Sequence, residues 1–146
     1  MMVWFDELRI AARENASSAI VGASFDGVPV EGLATAIATR LPYRFDGTQA
    51  ILSWERSLAR GYGACGDAAA LVVAVAERRG ELGAVRLCFE TVPELPTYQH
   101  VRAMWAGRVI DPWPQHSKIA DGCAQVLHAR SVLPARPRFG FYRSAR

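Results

Sequence analysis

At 146 residues the chain is long enough to bury a core as a single domain, with no need for disulfides or a metal to staple it. Its 51% hydrophobic and 21% charged residues are those of an ordinary soluble globular protein, and no apolar run reaches the ~18–20 residues of a membrane span. The net charge of +3 hides an asymmetry, since residues 1–100 carry 9 Arg against 12 Asp/Glu and residues 101–146 carry 8 Lys/Arg against 2 Asp. Acids and arginines in MMVWFDELRIAARENASS argue against a signal peptide. Cys65, Cys88 and Cys123 are widely spaced, with no CxxC, and fit neither a disulfide framework nor a zinc knuckle. A reducing, cytoplasmic setting is the simplest expectation.

In chain order, residues 3–20 predict a helix with an apolar stripe through Trp4, Leu8, Ala11 or Ala12 and Ala19. SFDGVPVEG is turn-rich, and EGLATAIATRL predicts a short helix that stops before Pro42. YRF reads as a short strand closed by Asp46-Gly47. Ser53 is placed to cap WERSLARG, and Gly61 to end it. From Cys65 a helix runs that is apolar nearly all round, with Arg78 and Arg79 in its last turn and Gly80 as its stop. AVRLCFETV, YQHVRAMW and RVID predict three strands, with turns at PELPT and Ala106-Gly107. The last third suggests a short helix near ADGCAQVLHA and an end, RPRFGFYR, that suits an edge strand or a tail. Helices, then a buried helix, then antiparallel strands define an α+β fold.

Cys65 lies between glycines at the mouth of the buried helix, where aligned N–H dipoles lower a thiol's pKa and favour the nucleophilic thiolate. Asp67 falls in the same first turn. A thiolate needs a base, and the base an orienting acceptor. His100 sits on the second predicted strand and Asp111 ends the third. A hairpin centred on Ala106-Gly107 pairs Arg102 with Asp111 and leaves His100 as the diagonal neighbour on the same face, about 7–8 Å away at the backbone. A four-residue loop Trp105–Arg108, with Gly107 at positive φ, is favoured over a two-residue loop that strains Ala106. Taken singly, each residue has a plainer role, as a packed cysteine, a helix-start charge, a strand histidine and a strand-ending turn. Together they fit a Cys-His-Asp relay.

GYGACGDAAALVVAVAERRG followed by HVRAMWAGRVIDP resembles the core motif of the transglutaminase-like superfamily, built on the papain-like cysteine hydrolase fold. LPYRFDGTQAILSWERSLARGYG is similar to the lead-in of compact members from bacteria and tailed phages, so that the resemblance covers about residues 40–114. It implies a central buried helix carrying the cysteine, packed on a small antiparallel sheet, in one domain spanning 1–146. By that matching Cys65 is the nucleophile, His100 the general base and acid, and Asp111 the orienter. Arg102 and Met104 stand where the family often carries an aromatic residue and an acid, which alters the wall beside the triad. The oxyanion hole would use the Cys65 N–H and a second donor, for which Gln49, Trp54 and Tyr62 are the upstream candidates.

The implied activity is acyl transfer on a protein or peptide amide, with hydrolysis favoured over transamidation and with no cofactor or metal. The rival is a structural or interaction protein, such as a virion or tail-assembly component that docks on assembly partners and would then be virion-associated. His116, Cys123 and His128 fit no standard zinc spacing. Arg136, Arg138 and Arg143 alternate with Phe139, Phe141 and Tyr142 in the basic, aromatic segment 130–146. That mixture suits a docking tail better than a nucleic-acid site.

Overall fold

Two serines divide what the sequence presents as one helix. The structure, a computed structural model, describes residues 2–45, 50–92, 95–116 and 125–133. In it α1 (Met2–Ala16) and α2 (Ala19–Phe25) replace the single helix expected over 3–20. Ser18 takes an extended conformation and its Oγ accepts from the Val21 N–H at 3.1 Å, so it starts a helix instead of continuing one. Leu8, Ala11 and Ala12 are buried as the stripe predicts, whereas Ala19, beyond the break, is exposed. Asn15 is fully buried and uses its Oδ1 to accept from the Trp54 N–H at 2.7 Å.

Helix α3 (Leu33–Arg40) ends at extended Leu41, just before Pro42, as the proline requires. Instead of a strand, YRF contributes one isolated parallel bridge, Tyr43 to Gly63. Two backbone bonds flank it, Gly63 N–H to Pro42 O at 2.9 Å and Arg44 N–H to Gly63 O at 3.0 Å. The approach is close enough that a Cβ on Gly63 would lie 2.4 Å from Leu41 Cδ2. Helix α4 (Trp54–Arg60) starts and stops where expected, with Ser53 Oγ accepting from the Arg56 N–H at 3.3 Å and Gly61 at φ 95°.

Helix α5 (Cys65–Arg78) is the centre of the molecule. Every residue from Gly66 to Ala76 is buried, with α1 and the strand Leu95–Trp105 as its main packing partners. At its far end the arginines act as clamps rather than as dipole counter-charges alone. Arg78 forks onto Asp26 at 2.8 and 2.9 Å, and Arg79 donates to the carbonyls of Phe25 and Val28. Gly80 ends the helix at φ 71°.

The strands β1 (Val85–Val92), β2 (Leu95–Trp105), β3 (Arg108–Ile110) and β4 (Gln125–His128) form one antiparallel sheet in the order β3-β2-β1-β4. Strand β4 corrects the helix expected near ADGCAQVLHA, since Gln125–His128 pairs with Arg86–Phe89 and the helix, α6 (Ala129–Val132), begins only afterwards. Exposed Val126 and His128 alternate there with partly buried Leu127, a strand's period of two. Val85, Leu87 and Phe89 of β1 join Val101, Ala103 and Trp105 of β2 and Ile110 of β3 in the core with α5. The architecture is α+β, six helices around a small antiparallel sheet among the described residues. There, no single helix is long and apolar enough to cross a membrane. Both the end RPRFGFYR and Cys123 lie outside the described residues.

Candidate active site

Cys65 occupies the first position of α5, after an extended Ala64 at φ −140° and ψ −172°. It is partly buried and is the free cysteine among the described residues. N–H groups of a first helical turn have no intrahelical acceptor, so their dipoles favour a thiolate. Asp67, predicted as a charge of the helix start, proves to be a buried anchor at 5% exposure. Its Oδ2 accepts from the Ala64 N–H at 2.8 Å and from Arg60 at 2.7 Å, while Oδ1 accepts from the Leu52 N–H at 2.7 Å. This is half of a capping box, because alanine at the cap offers no oxygen for the reciprocal bond. Burial raises the Asp67 pKa above the ordinary 3.8, while the two amides and Arg60 oppose the shift. Arg60 also donates to the carbonyls of Tyr62 (3.0 Å) and Ala50 (3.1 Å), tying both approaches to Cys65 together.

The other half of the site rests on a strand register. Trp105 pairs with Arg108, Met104 with Val109 and Ala103 with Ile110, and the pairing ends there, one position short of the expected Arg102 and Asp111. The loop itself differs from the four residues favoured above. It has two, Ala106 and Gly107, at φ 52° and 83°, both left-handed as in a type I′ turn. The Ala106 N–H donates to Ala84 O at 2.9 Å, a tertiary bond that holds an alanine where glycine or asparagine is usual. Either loop gives the same register, with Ala103 opposite Ile110.

Val101, Ala103 and Trp105 form the row of β2 that packs with α5, and His100 and Arg102 alternate with them along the strand. His100 is 5% exposed. Burial lowers its pKa below 6.5, the Asp111 charge pulls it back up, and Arg102 pushes it down. A neutral imidazole at pH 7, the form that accepts a proton, is the consequence.

Tyr43, which no motif singled out, sits between the two halves. Its ring packs on Trp113 at 5.6 Å between centroids. Trp113 in turn donates its N–H to Asp111 Oδ1 and its indole N–H to Leu41 O, each at 3.1 Å. The Tyr43 pKa is raised, first by burial and then by the charges of Cys65 and Asp111, which places the phenol within the field of both. The usable signal was the dipeptide Pro42-Tyr43 after a helix end, too local to show its partner Gly63.

Of the three oxyanion candidates, Trp54 turns its ring edge-on to Phe25 (5.0 Å) at 3% exposure in the helical core. Tyr62 has the guanidiniums of Arg44 and Arg60 at 4.9 and 4.7 Å from its ring centroid. Gln49 lies outside the described residues. Cys88 corrects the expectation of reduced cysteines, because it is disulfide-bonded. It is buried on the outer side of β1, opposite in phase to Leu87 and Phe89. A disulfide belongs to oxidising surroundings, so the cysteine argument for a reducing compartment falls. A cleft of about 390 Å³ on the helical side is lined by Glu14, Asn15, Ser17, Ser18, Ser53, Glu55 and Arg56, none of them a predicted catalytic residue.

Against protein-family models, curated proteins and solved structures the chain gives no match.

Proposed function

We propose that the protein is a cysteine-dependent acyl-transfer enzyme of papain-like, transglutaminase-like design, hydrolysing an amide or peptide bond. One observation carries this reading. The Cys65 thiol opens a buried helix two residues after Gly63, whose backbone bridges to Tyr43, and the Tyr43 ring packs on Trp113, which donates its N–H to Asp111. Cys65 Sγ, deprotonated by His100, attacks the carbonyl carbon, and the C=O π pair moves onto oxygen. On collapse the C–N bond breaks, the imidazolium gives its proton to the leaving nitrogen, and a thioester remains. His100 then takes a proton from water, whose oxygen forms the new C–O bond as the C–S bond breaks. Asp111 holds the imidazole in the orientation this needs.

The test is a peptidyl chloromethyl ketone, followed by peptide mapping. One adduct on Cys65, absent from Cys65→Ala and slowed in His100→Gln, is the expected result. An unlabelled Cys65 in the folded protein would sink the proposal.

A further inference from the structure

The reaction develops a negative oxygen, and the end of α5 supplies only one side of a cradle for it. Oxyanion holes use donors set about 2.7–3.1 Å from the charged oxygen, in a site shielded from water. A second donor must therefore be partly buried, fixed relative to Cys65 by something stiffer than a side chain, and protonated beside a thiolate. Trp54 and Tyr62 fail on placement, one committed to Phe25 and the other beside two guanidiniums.

Tyr43 meets all three conditions. Its backbone is bridged to Gly63, two residues before the nucleophile, with a hydrogen bond on either side of the bridge. Its ring rests on Trp113, which is itself tied to Asp111 and Leu41. The side chain is half-buried against the core that also contacts Cys65. Resting on the acyl-transfer reading of this site, we propose that the Tyr43 hydroxyl is the second oxyanion donor, a catalytic residue facing the carbonyl oxygen of the bound amide. Burial and the nearby anionic charges keep the phenol protonated, so it donates a hydrogen bond and transfers no proton. When the C–N bond breaks, the oxygen's lone pair re-forms the C=O and the contact weakens. The donor thus favours the tetrahedral state over the ground state, and its loss falls on kcat more than on KM.

Two reactions of the same thiol separate this role from a structural one. Acylation by p-nitrophenyl acetate passes through an oxyanion, whereas alkylation by iodoacetamide displaces iodide at a saturated carbon and forms none. Tyr43→Phe keeps the ring on Trp113. It should lower Cys65 acylation about 10²- to 10³-fold while leaving its alkylation within about twofold of wild type. Acylation that falls only a few-fold, or alkylation that falls in step with it, overturns the inference. If wild type acylates no faster than Cys65→Ala, the acyl-transfer reading fails and the inference falls with it. That result is distinct from an active wild type matched by an equally active Tyr43→Phe.

Discussion

In the proposed site, the half around Cys65, read as the nucleophile half, and the half around His100, read as the base half, are held by different physics. Around Cys65 the fixing groups are polar and local, since Asp67 takes hydrogen bonds from Leu52, Ala64 and Arg60 and Arg60 reaches on to Ala50 and Tyr62. Around His100 the fixing groups are apolar and distributed. Alternate residues Val101, Ala103 and Trp105 are packed into the core, and the β1–β2 and β2–β3 pairings set the positions of His100 and of the chain leading to Asp111. One carboxylate therefore governs the first half, and no single side chain governs the second. Damage should be abrupt in one and graded in the other.

The largest expected effect is that of Asp67→Ala. It removes three hydrogen bonds and leaves Arg60, with its side chain 15% exposed, without its charge partner. Breaking such a buried pair costs about 3–5 kcal/mol. Urea unfolding should show a loss of that size, and turnover should vanish with the geometry of the helix start. A variant within about 1 kcal/mol of wild type would mean that the helix start is fixed elsewhere and would erase the contrast.

Next comes Asp111→Asn on the base half. The isosteric amide keeps the side chain's shape, and the strand pairs through its backbone, so the fold should stand. His100 loses the charge that orients it, and kcat should fall about 10²- to 10⁴-fold. Unchanged turnover in an active preparation would remove Asp111 from the triad.

What the sequence revealed follows the same division between local and distant causes. The ends of α4 were legible because Ser53 and Gly61 act within their own turn, and α5 because Ala68–Ala76 is a continuous apolar run. The break at Ser18 was missed because serine inside a helix and serine at a cap look alike until the chain turns. Strand β4 was missed because its four residues have meaning only beside β1. For the proposed site, Cys65, His100 and Asp111 were singled out by residue type, spacing and the family resemblance. The anchoring by Asp67 and the placement of Tyr43 could not, since their partners Leu52 and Gly63 lie 15 and 20 residues away along the chain, and the disulfide at Cys88 was likewise invisible.

A smaller effect should come from acid. The folded pKa of His100 is below 6.5, so near that pH the unfolded chain binds more protons than the folded one. Stability from this group is full above 6.5, falls as pH drops through it, and levels off once the folded value is passed. Asp26, whose pKa Arg78 lowers from 3.8, loses its contribution only in a more acidic window. Melting temperatures between pH 7.5 and 5 should therefore decline in wild type and decline less in His100→Gln. Equal slopes would mean that the imidazole is as well solvated in the folded chain as in the unfolded one. Over the same range the activity should keep its neutral-base form down to below pH 6.5, since burial depresses the protonated form more than Asp111 restores it.

The smallest effect is expected at the hairpin that sets the register. Ala106 holds φ 52°, a conformation that costs an L-residue about 1–2 kcal/mol and a glycine almost nothing. Ala106→Gly removes that strain but adds freedom to the unfolded chain, which returns about 0.5–1 kcal/mol of the gain. The N–H bond to Ala84 O survives, because it belongs to the backbone. A net stabilisation of roughly 0.5–1 kcal/mol follows, with turnover unchanged because the pairing of Ala103 with Ile110 is kept. The contrasting variant is Gly107→Val, which puts a β-branched residue at φ 83° and pushes the chain toward another loop. If the base half depends on register, Gly107→Val should lose activity out of proportion to its loss of stability, while Ala106→Gly gains stability at constant activity. If instead both variants keep full turnover, the placement of His100 and Asp111 does not depend on this turn, and the base half is held by the core row of β2 alone.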